Sequence, residues 1–350
     1  MIFLNNYRLK IILSLVAILV FIAMFIYDPT GLVKGVSDAL TLCATAVIPP
    51  LFPFMVLSDF IIRSGLCDII GNFLAPITKF VLNLPGSAGC AVFMSAVGGY
   101  PVGAKMTAQL LEGEKITRSQ GKRMMLFCVN AGPAFVIGTV GAVMFSSRRA
   151  GIILYLSMLI SSLFIGVFLR FFDSEKLDLK RAEIVFDPSV ASQSIMQGTN
   201  SILMMCGWIL IFSCINVFIK KLPLNENTLV WLNMITEVTS GCSAASKMFP
   251  VSVQALVMGW AGLSVHCQLF PFVKATGLRL THFFLSRLVH GGLATAVAVV
   301  LFRFFPCEVS VFSANADVLP AAFSVSAPAA AAMLILCAFL IIDNKAKTLT

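Results

Sequence analysis

Charge is what this sequence has least of. Only 12% of its 350 residues are Asp, Glu, Lys or Arg, against 59% hydrophobic, and the mean hydropathy is +0.95. A water-soluble domain carries roughly twice that charged share, so most of this chain belongs in a bilayer. Histidine is nearly missing, with His266, His282 and His290 the only three. No Ser/His/Asp set, HExxH motif, Walker loop or metal-ligand cluster can be assembled, so neither an enzyme nor a cofactor is expected. Ten cysteines are present, but no CxxC spacing occurs, and Cys43, Cys90, Cys128, Cys206, Cys214 and Cys337 lie inside apolar runs. They read as small buried hydrophobes. The net charge of +9 is scattered through short loops, which fits the orientation bias of membrane proteins and not a nucleic-acid interface.

What the sequence does have is apolar segments of the ~20 residues that a helix needs to cross a bilayer. About eight can be laid out, at 11–27, 39–63, 123–145, 150–171, 197–219, 251–271, 281–302 and 319–342. Arg8 and Lys10 precede the first, and no small-residue cleavage site follows it, so it reads as an uncleaved span. Pro49, Pro50 and Pro53 should kink or split the second. Segment 66–82, with Asp68, Asn72 and Lys79, is amphipathic and suits the membrane interface.

Two further apolar segments are too short for two crossings and are interrupted in their middles. Residues 87–111 break at Gly98-Gly99-Tyr100-Pro101 and carry Lys105; residues 228–248 break around Thr239-Ser240-Gly241-Cys242 and carry Glu237 and Lys247. Each is followed by a span with its own interruption, Asn130-Ala131-Gly132-Pro133 and Ala261-Gly262-Leu263-Ser264. Irregular backbone and ionisable groups persist at membrane depth only where protein or a wet cavity surrounds them. Paired interruptions of this kind point to a transporter's binding site.

Both short segments therefore read as re-entrant hairpins in an all-α polytopic membrane protein, a single transmembrane domain over 1–350. A first repeat spans 39–171 with hairpin 87–111, and a second spans 197–302 with hairpin 228–248. Each block crosses three times, so the second is inverted. Ser95 to Met106 resembles Thr236 to Met248 locally. Lys34, Arg148, Arg149, Lys220, Lys221 and Arg303 fall on one side; the other Lys and Arg, apart from Lys105 and Lys247, fall on the opposite side. That asymmetry puts both termini in the cytoplasm. The loop 170–185 is then cytoplasmic and 305–318 external.

The candidate site residues lie at the breaks. Lys105 sits one turn past Gly98–Pro101 and either snorkels to water or offers a positive charge to an anionic solute; the start of the helix near Val102 would add its unpaired N–H groups. Glu237 is either a coupling site for a proton or cation, a partner of Lys105 or Lys247, or half of a structural ion pair. Asn130 beside Gly132 and Pro133 can satisfy freed backbone groups or bind a solute. His266 is either a packing residue or part of proton coupling. Ser95, Tyr100, Ser240, Ser243 and Ser264 supply hydroxyls, as does Thr236. The partners implied are a small-molecule solute and lipid.

The run Gly99-Tyr100-Pro101-Val102-Gly103-Ala104-Lys105, followed by Asn130-Ala131-Gly132-Pro133-Ala134-Phe135 and Gly138-Thr139-Val140-Gly141, resembles the YlbJ-type sporulation integral membrane proteins. These carry the Gate or nucleoside-recognition domain and are distantly like concentrative nucleoside transporters. The resemblance implies a transport role in endospore formation, in a forespore membrane, with dipicolinate as a candidate solute; nucleoside transport or a membrane scaffold are its alternatives. Carried over residue by residue, the matching positions are Gly99, Tyr100, Pro101, Gly103, Lys105, Asn130, Gly132 and Pro133. Val129 and Ala131 flank the asparagine where a more polar surround is expected.

Overall fold

A computed structural model describes residues 12, 15, 16, 18, 19, 21–172 and 187–309. The expected span 319–342, and most of 11–20, lie outside the described residues. What is described is helical, without a strand, and five helices are long and apolar enough to cross a membrane, or six if one bent pair is a single span.

Asp28 caps α1 (Pro29–Leu42), its Oδ1 accepting from Gly31 N at 3.0 Å. The helix continues through a π-helical turn (Cys43–Val47) into α2 (Ile48–Arg63). Pro49, Pro50 and Pro53 lack N–H donors, so the carbonyls before them lose i→i−4 partners and the helix widens instead of splitting. α1–α2 lies antiparallel to α8 (Pro188–Ile219). Asp28 pairs with Lys221 at one end, and Arg63 meets Gln193 at the other.

α3 (Leu66–Leu82) starts after Gly65 and ends at Asn83, both in the left-handed region. It is bent by 87° from α4 (Gly86–Gly98). Ile69, Phe73, Ile77 and Phe80 are exposed along one side of it, an apolar stripe suited to contact with lipid. α4 turns at Gly99 into α5 (Tyr100–Glu112), and the two fold back on each other. A Cβ on Gly103 would stand 2.6 Å from that of Ser95, while Ser87 Oγ reaches Lys115 O at 3.5 Å. The base of this pair lies at the Arg63 end, where Lys115 pairs with Asp68 at 2.6 Å.

The segment 123–145 departs from a plain crossing. Helix α6 (Arg118–Phe127), with a Thr117–Gln120 capping box, stops at Phe127. Residues 128–132 are irregular, and a π-helix (Ala134–Met144) continues. Pro133 bars an unbroken helix through this stretch, because it disfavours helical backbone in Gly132 and donates no hydrogen bond. α7 (Arg148–Leu169) returns, with Gly151 against Gly141. Its outer face carries Ile152, Leu156, Ile160, Leu163 and Phe164, all exposed. Its inner face carries buried Ser157, Ser161 and Ser162, the reverse of a water-soluble helix.

After α8 the chain forms α9 (Glu226–Thr236) and α10 (Val238–Ala245), hinged at Glu237 and not around Thr239–Cys242, which lie within α10. These also fold back on each other: a Cβ on Gly241 would lie 2.8 Å from Met234 Cα, and the rings of Trp231 and Phe249 are 5.4 Å apart. α11 (Val253–Trp260) and α12 (Gly262–Thr276) form one broken span, with Ala261 and Gly262 at φ 74° and 72°. α13 (Leu280–Phe304) completes the described bundle, Gly291 against Gly259.

Candidate functional site

The four interruptions meet in two pairs. Gly99, at φ 86°, abuts Gly132 so closely that a Cβ on it would lie 3.1 Å from Gly132 N. Gly262, at φ 72°, abuts the hinge of α9–α10, where a Cβ would lie 2.9 Å from Val238 N and 3.0 Å from Glu237 C. Both glycines combine a left-handed backbone with no room for a side chain, so no other residue fits without strain. The two pairs also touch each other. Tyr100 Oη donates to Met258 O at 2.6 Å, and Tyr100, Ala104, Ala131, Val238, Cys242 and Ala261 belong to one buried apolar cluster.

Beside this junction lies a charged network. Lys105, 4% exposed, has Nζ 3.3 Å from Oδ1 of Asp59, whose side chain is 0% exposed. Gln109 Nε2 donates to the same oxygen at 2.5 Å, and Arg63 Nε donates to Asp59 Oδ2 at 2.5 Å. Spacing of four residues puts Lys105 with Gln109 on one face of α5, and Asp59 with Arg63 on one face of α2. Two cations thus share one carboxylate. The Lys105 ammonium makes no geometrically sound hydrogen bond among the described residues, although it is buried. An ammonium has three N–H groups to place, so this one has donors to spare.

Asn130 sits in the break after α6. Its Nδ2 lies 3.3 Å from Ser95 Oγ, 3.1 Å from Ser162 Oγ and 3.3 Å from Phe127 O; Ser162 also donates to Phe127 O at 2.6 Å. Asn130 Oδ1 has no partner among the described residues. The asparagine therefore serves the broken backbone and keeps an acceptor in hand. Two other carbonyls freed by the break, Leu126 O and Val129 O, accept from Arg287 of α13. Arg287 is fully buried, and its positive charge faces the carbonyl end of α6, where the helix dipole is negative. His290, one turn on, has Nδ1 3.4 Å from the guanidinium and Nε2 3.1 Å from Met158 O. Counting charges by side places Arg287 in cytoplasmic water, and its burial in the bundle corrects that assignment.

Glu237 is not paired with Lys105 or Lys247 in any ion pair among the described residues. Its carboxylate caps α10, Oε1 accepting from Thr239 N at 3.0 Å and Oε2 from Ser240 N at 2.7 Å. The positive end of the helix and two N–H donors offset its burial. Next to it, Asn216 of α8 donates to Ser240 Oγ at 3.1 Å and accepts from Thr236 Oγ1 at 3.1 Å. His266 Nδ1 meets Gly262 O at 2.7 Å, and its ring stacks on Phe284 at 4.6 Å and 9°. His266 Nε2 and Ser264 Oγ are buried without hydrogen bonds among the described residues.

Of the residues expected at the site, Ser95, Gly99, Tyr100, Pro101, Gly103, Lys105, Asn130, Gly132, Glu237, Ser264 and His266 are buried, while Pro133 and Ser240 are half-buried. Ser243 and Lys247 are exposed. Asp59, Gln109, Asn216 and Arg287 are the residues that sequence reasoning missed. Asp59 and Arg287 each stand within an apolar run, which is by itself a signal of function at membrane depth. Among the described residues no group of three or more His, Cys, Asp and Glu could hold a metal.

A model of the Gate family, described as nucleoside recognition, matches residues 44–175, the stretch that holds Asp59, Ser95, Tyr100, Lys105 and Asn130. The chain is 24% identical over 326 residues to the "Sporulation integral membrane protein YlbJ" of Bacillus subtilis (strain 168), across 80% of this chain and 80% of that protein. No solved structure matches. The resemblance carried by the GYP-x-GAK and Asn-Ala-Gly-Pro runs therefore holds.

Proposed function

We propose that this protein is a multi-pass membrane transporter of a small anionic solute, working by alternating access around a midplane site between α4–α5 and α9–α10. The observation that carries the reading is the junction itself: two folded-back helix pairs each set their turn against the broken backbone of a following span, and Tyr100 at the first turn is bonded to α11, just before the second of those breaks. α5 starts at this junction, so the positive end of its helix dipole faces whatever binds there, whereas the first N–H groups of α10 are taken by Glu237. Lys105 adds a buried cation with unfilled donors, and the excess of two cations over one carboxylate favours an anion. Asn130, Ser95 and Ser264 would orient the solute; Glu237 and His266 are the candidates for coupling.

The two blocks 39–171 and 197–302 act in this proposal as inverted repeats. Support comes from the bases of the helix pairs. That of α4–α5 lies at the Arg63 end of the bundle, whereas α9–α10 follows directly from the opposite, Lys221 end of α8. Both termini would face the cytoplasm. Given the relative's name, the membrane would be that of a sporulating cell or forespore, and the spore dicarboxylate dipicolinate is the solute to try first.

A nucleoside is the second reading. It is favoured by the name of the matched family and by the uncharged Asn130–Ser95–Ser162 group, which suits a neutral polar solute. Uptake into proteoliposomes tests both, with labelled dipicolinate and uridine offered to wild type, Lys105→Ala and Glu237→Gln. Dipicolinate uptake that is lost in Lys105→Ala is expected. Uptake that neither substitution alters removes the site assignment, and no uptake of either solute leaves a non-transporting scaffold as the better description.

A further inference from the structure

We propose that Asp59 is an internal counter-ion that occupies Lys105 while the site is empty and yields it to the solute's carboxylate, so that Asp59 sets how tightly the solute is held. The inference rests on the reading of Lys105 as an anion-binding residue. Its basis is the unequal quality of the three contacts that Asp59 makes. Oδ1 has Gln109 Nε2 at 2.5 Å and Lys105 Nζ only at 3.3 Å; Oδ2 has Arg63 Nε at 2.5 Å. Lys105 is the loosest partner, and its contact lacks hydrogen-bond geometry.

When Lys105 moves to another carboxylate, Asp59 keeps one sound hydrogen bond on each oxygen. One of these is the charge-assisted bond from Arg63, so Asp59 is not left as an unpaired buried ion. Lys105 is not stranded either, since it goes from one anion to another. The exchange avoids the penalty of several kcal/mol that an isolated buried charge carries. Arg63 is half in water, its side chain 36% exposed, and it anchors Asp59 from the wet end of α2. Among the described residues the charged groups that bear on Lys105 are Asp59 and Arg63: one competes with the solute and the other holds the competitor back.

The two ends of this arrangement respond in opposite directions, which a merely structural network would not do. Removing the competitor in Asp59→Asn should tighten solute binding. Removing the rival donor in Gln109→Leu should leave Lys105 as the only donor to Asp59 Oδ1 among the described residues, and so weaken it. Calorimetric titration of the purified full chain with dipicolinate measures both. Asp59→Asn should lower Kd by about tenfold or more, given the strength of a close charge pair away from bulk water; Gln109→Leu should raise it roughly threefold or more. Slower release from Asp59→Asn should appear as reduced turnover in proteoliposomes. If wild type binds but Asp59→Asn binds equally or more weakly, the counter-ion role is overturned while the anion site stands. If Asp59→Asn does not fold, an unchanged Kd in Gln109→Leu overturns it instead. If wild type itself does not bind dipicolinate, the reading of Lys105 for this anion fails, and the proposal with it.

Discussion

The hydroxyl of Tyr100 donates to the carbonyl of Met258 at 2.6 Å. One group belongs to the turn of α4–α5 and the other to α11, so this bond ties the first half of the chain to the second at the point where the interruptions converge. α11 ends only two residues later, at Trp260, and the bond stands just before that break.

Tyr100→Phe removes this donor and leaves a buried carbonyl short of a partner, at a cost of about 1–3 kcal/mol. The variant should unfold at lower denaturant in detergent, and solute uptake should fall by more than its reduced amount in the membrane explains. Equal stability to wild type would mean that the bond is dispensable.

Arg287 should tolerate almost nothing. Met in its place fits the volume but orphans Leu126 O and Val129 O, a loss of about 3–5 kcal/mol for two charge-assisted bonds. Arg287→Lys should recover part of that, because a single ammonium cannot fork to both carbonyls as a guanidinium does. Monodispersity by size-exclusion chromatography should rank the three as Arg, then Lys, then Met.

The glycines should divide sharply. Gly99→Ala and Gly262→Ala each place a Cβ on a left-handed backbone and against another turn, costing about 1–2 kcal/mol from the backbone alone and shifting the junction. Gly138→Ala and Gly207→Ala meet nothing within 4 Å. Transport should fail in the first pair and persist in the second; failure in all four would point to general fragility.

Lys247 and Ser243 are exposed, so Lys247→Ala and Ser243→Ala should take up solute at the wild-type rate under the same gradient in which Lys105→Ala does not. A Lys247→Ala variant as impaired as Lys105→Ala would contradict this division.

Orientation has its own test. With the native cysteines replaced, Arg149→Cys and Glu114→Cys should react with a membrane-impermeant maleimide from opposite faces of a sealed vesicle. Labelling of both from one face would overturn the layout of three crossings per block.

Much of this arrangement can be read in the sequence, because glycine, proline and lysine within apolar runs are costly enough to be conspicuous. The turn at Gly99, the break at Asn130–Pro133 and the break at Ala261–Gly262 are local backbone events, and local composition announces them. The partners of charged groups are another matter. Lys105 meets Asp59 across 46 positions, and no periodicity links α2 to α5. Arg287 stands seven residues inside α13, close enough to its start to be taken for a loop residue, and only packing reveals what it caps. Glu237 illustrates the reverse error. A lone acid in an apolar segment suggests a distant cation, yet its helix supplies the compensating groups two and three residues on. Lys247 misleads for a simpler reason, since α10 ends at Ala245 and the lysine falls past it, on the outside.

The reach of Arg287 back to Leu126 and Val129 also bears on how the protein is made. Synthesis runs from the amino terminus, so these two carbonyls enter the bilayer some 160 residues before the cation that completes them emerges from the ribosome. Until then the first half is an unfinished object, with open acceptors that lipid cannot satisfy. A nascent chain stalled before α13 would present that defect to the proteases that survey membranes, and the last described helix is in effect the point at which the earlier half is released from probation.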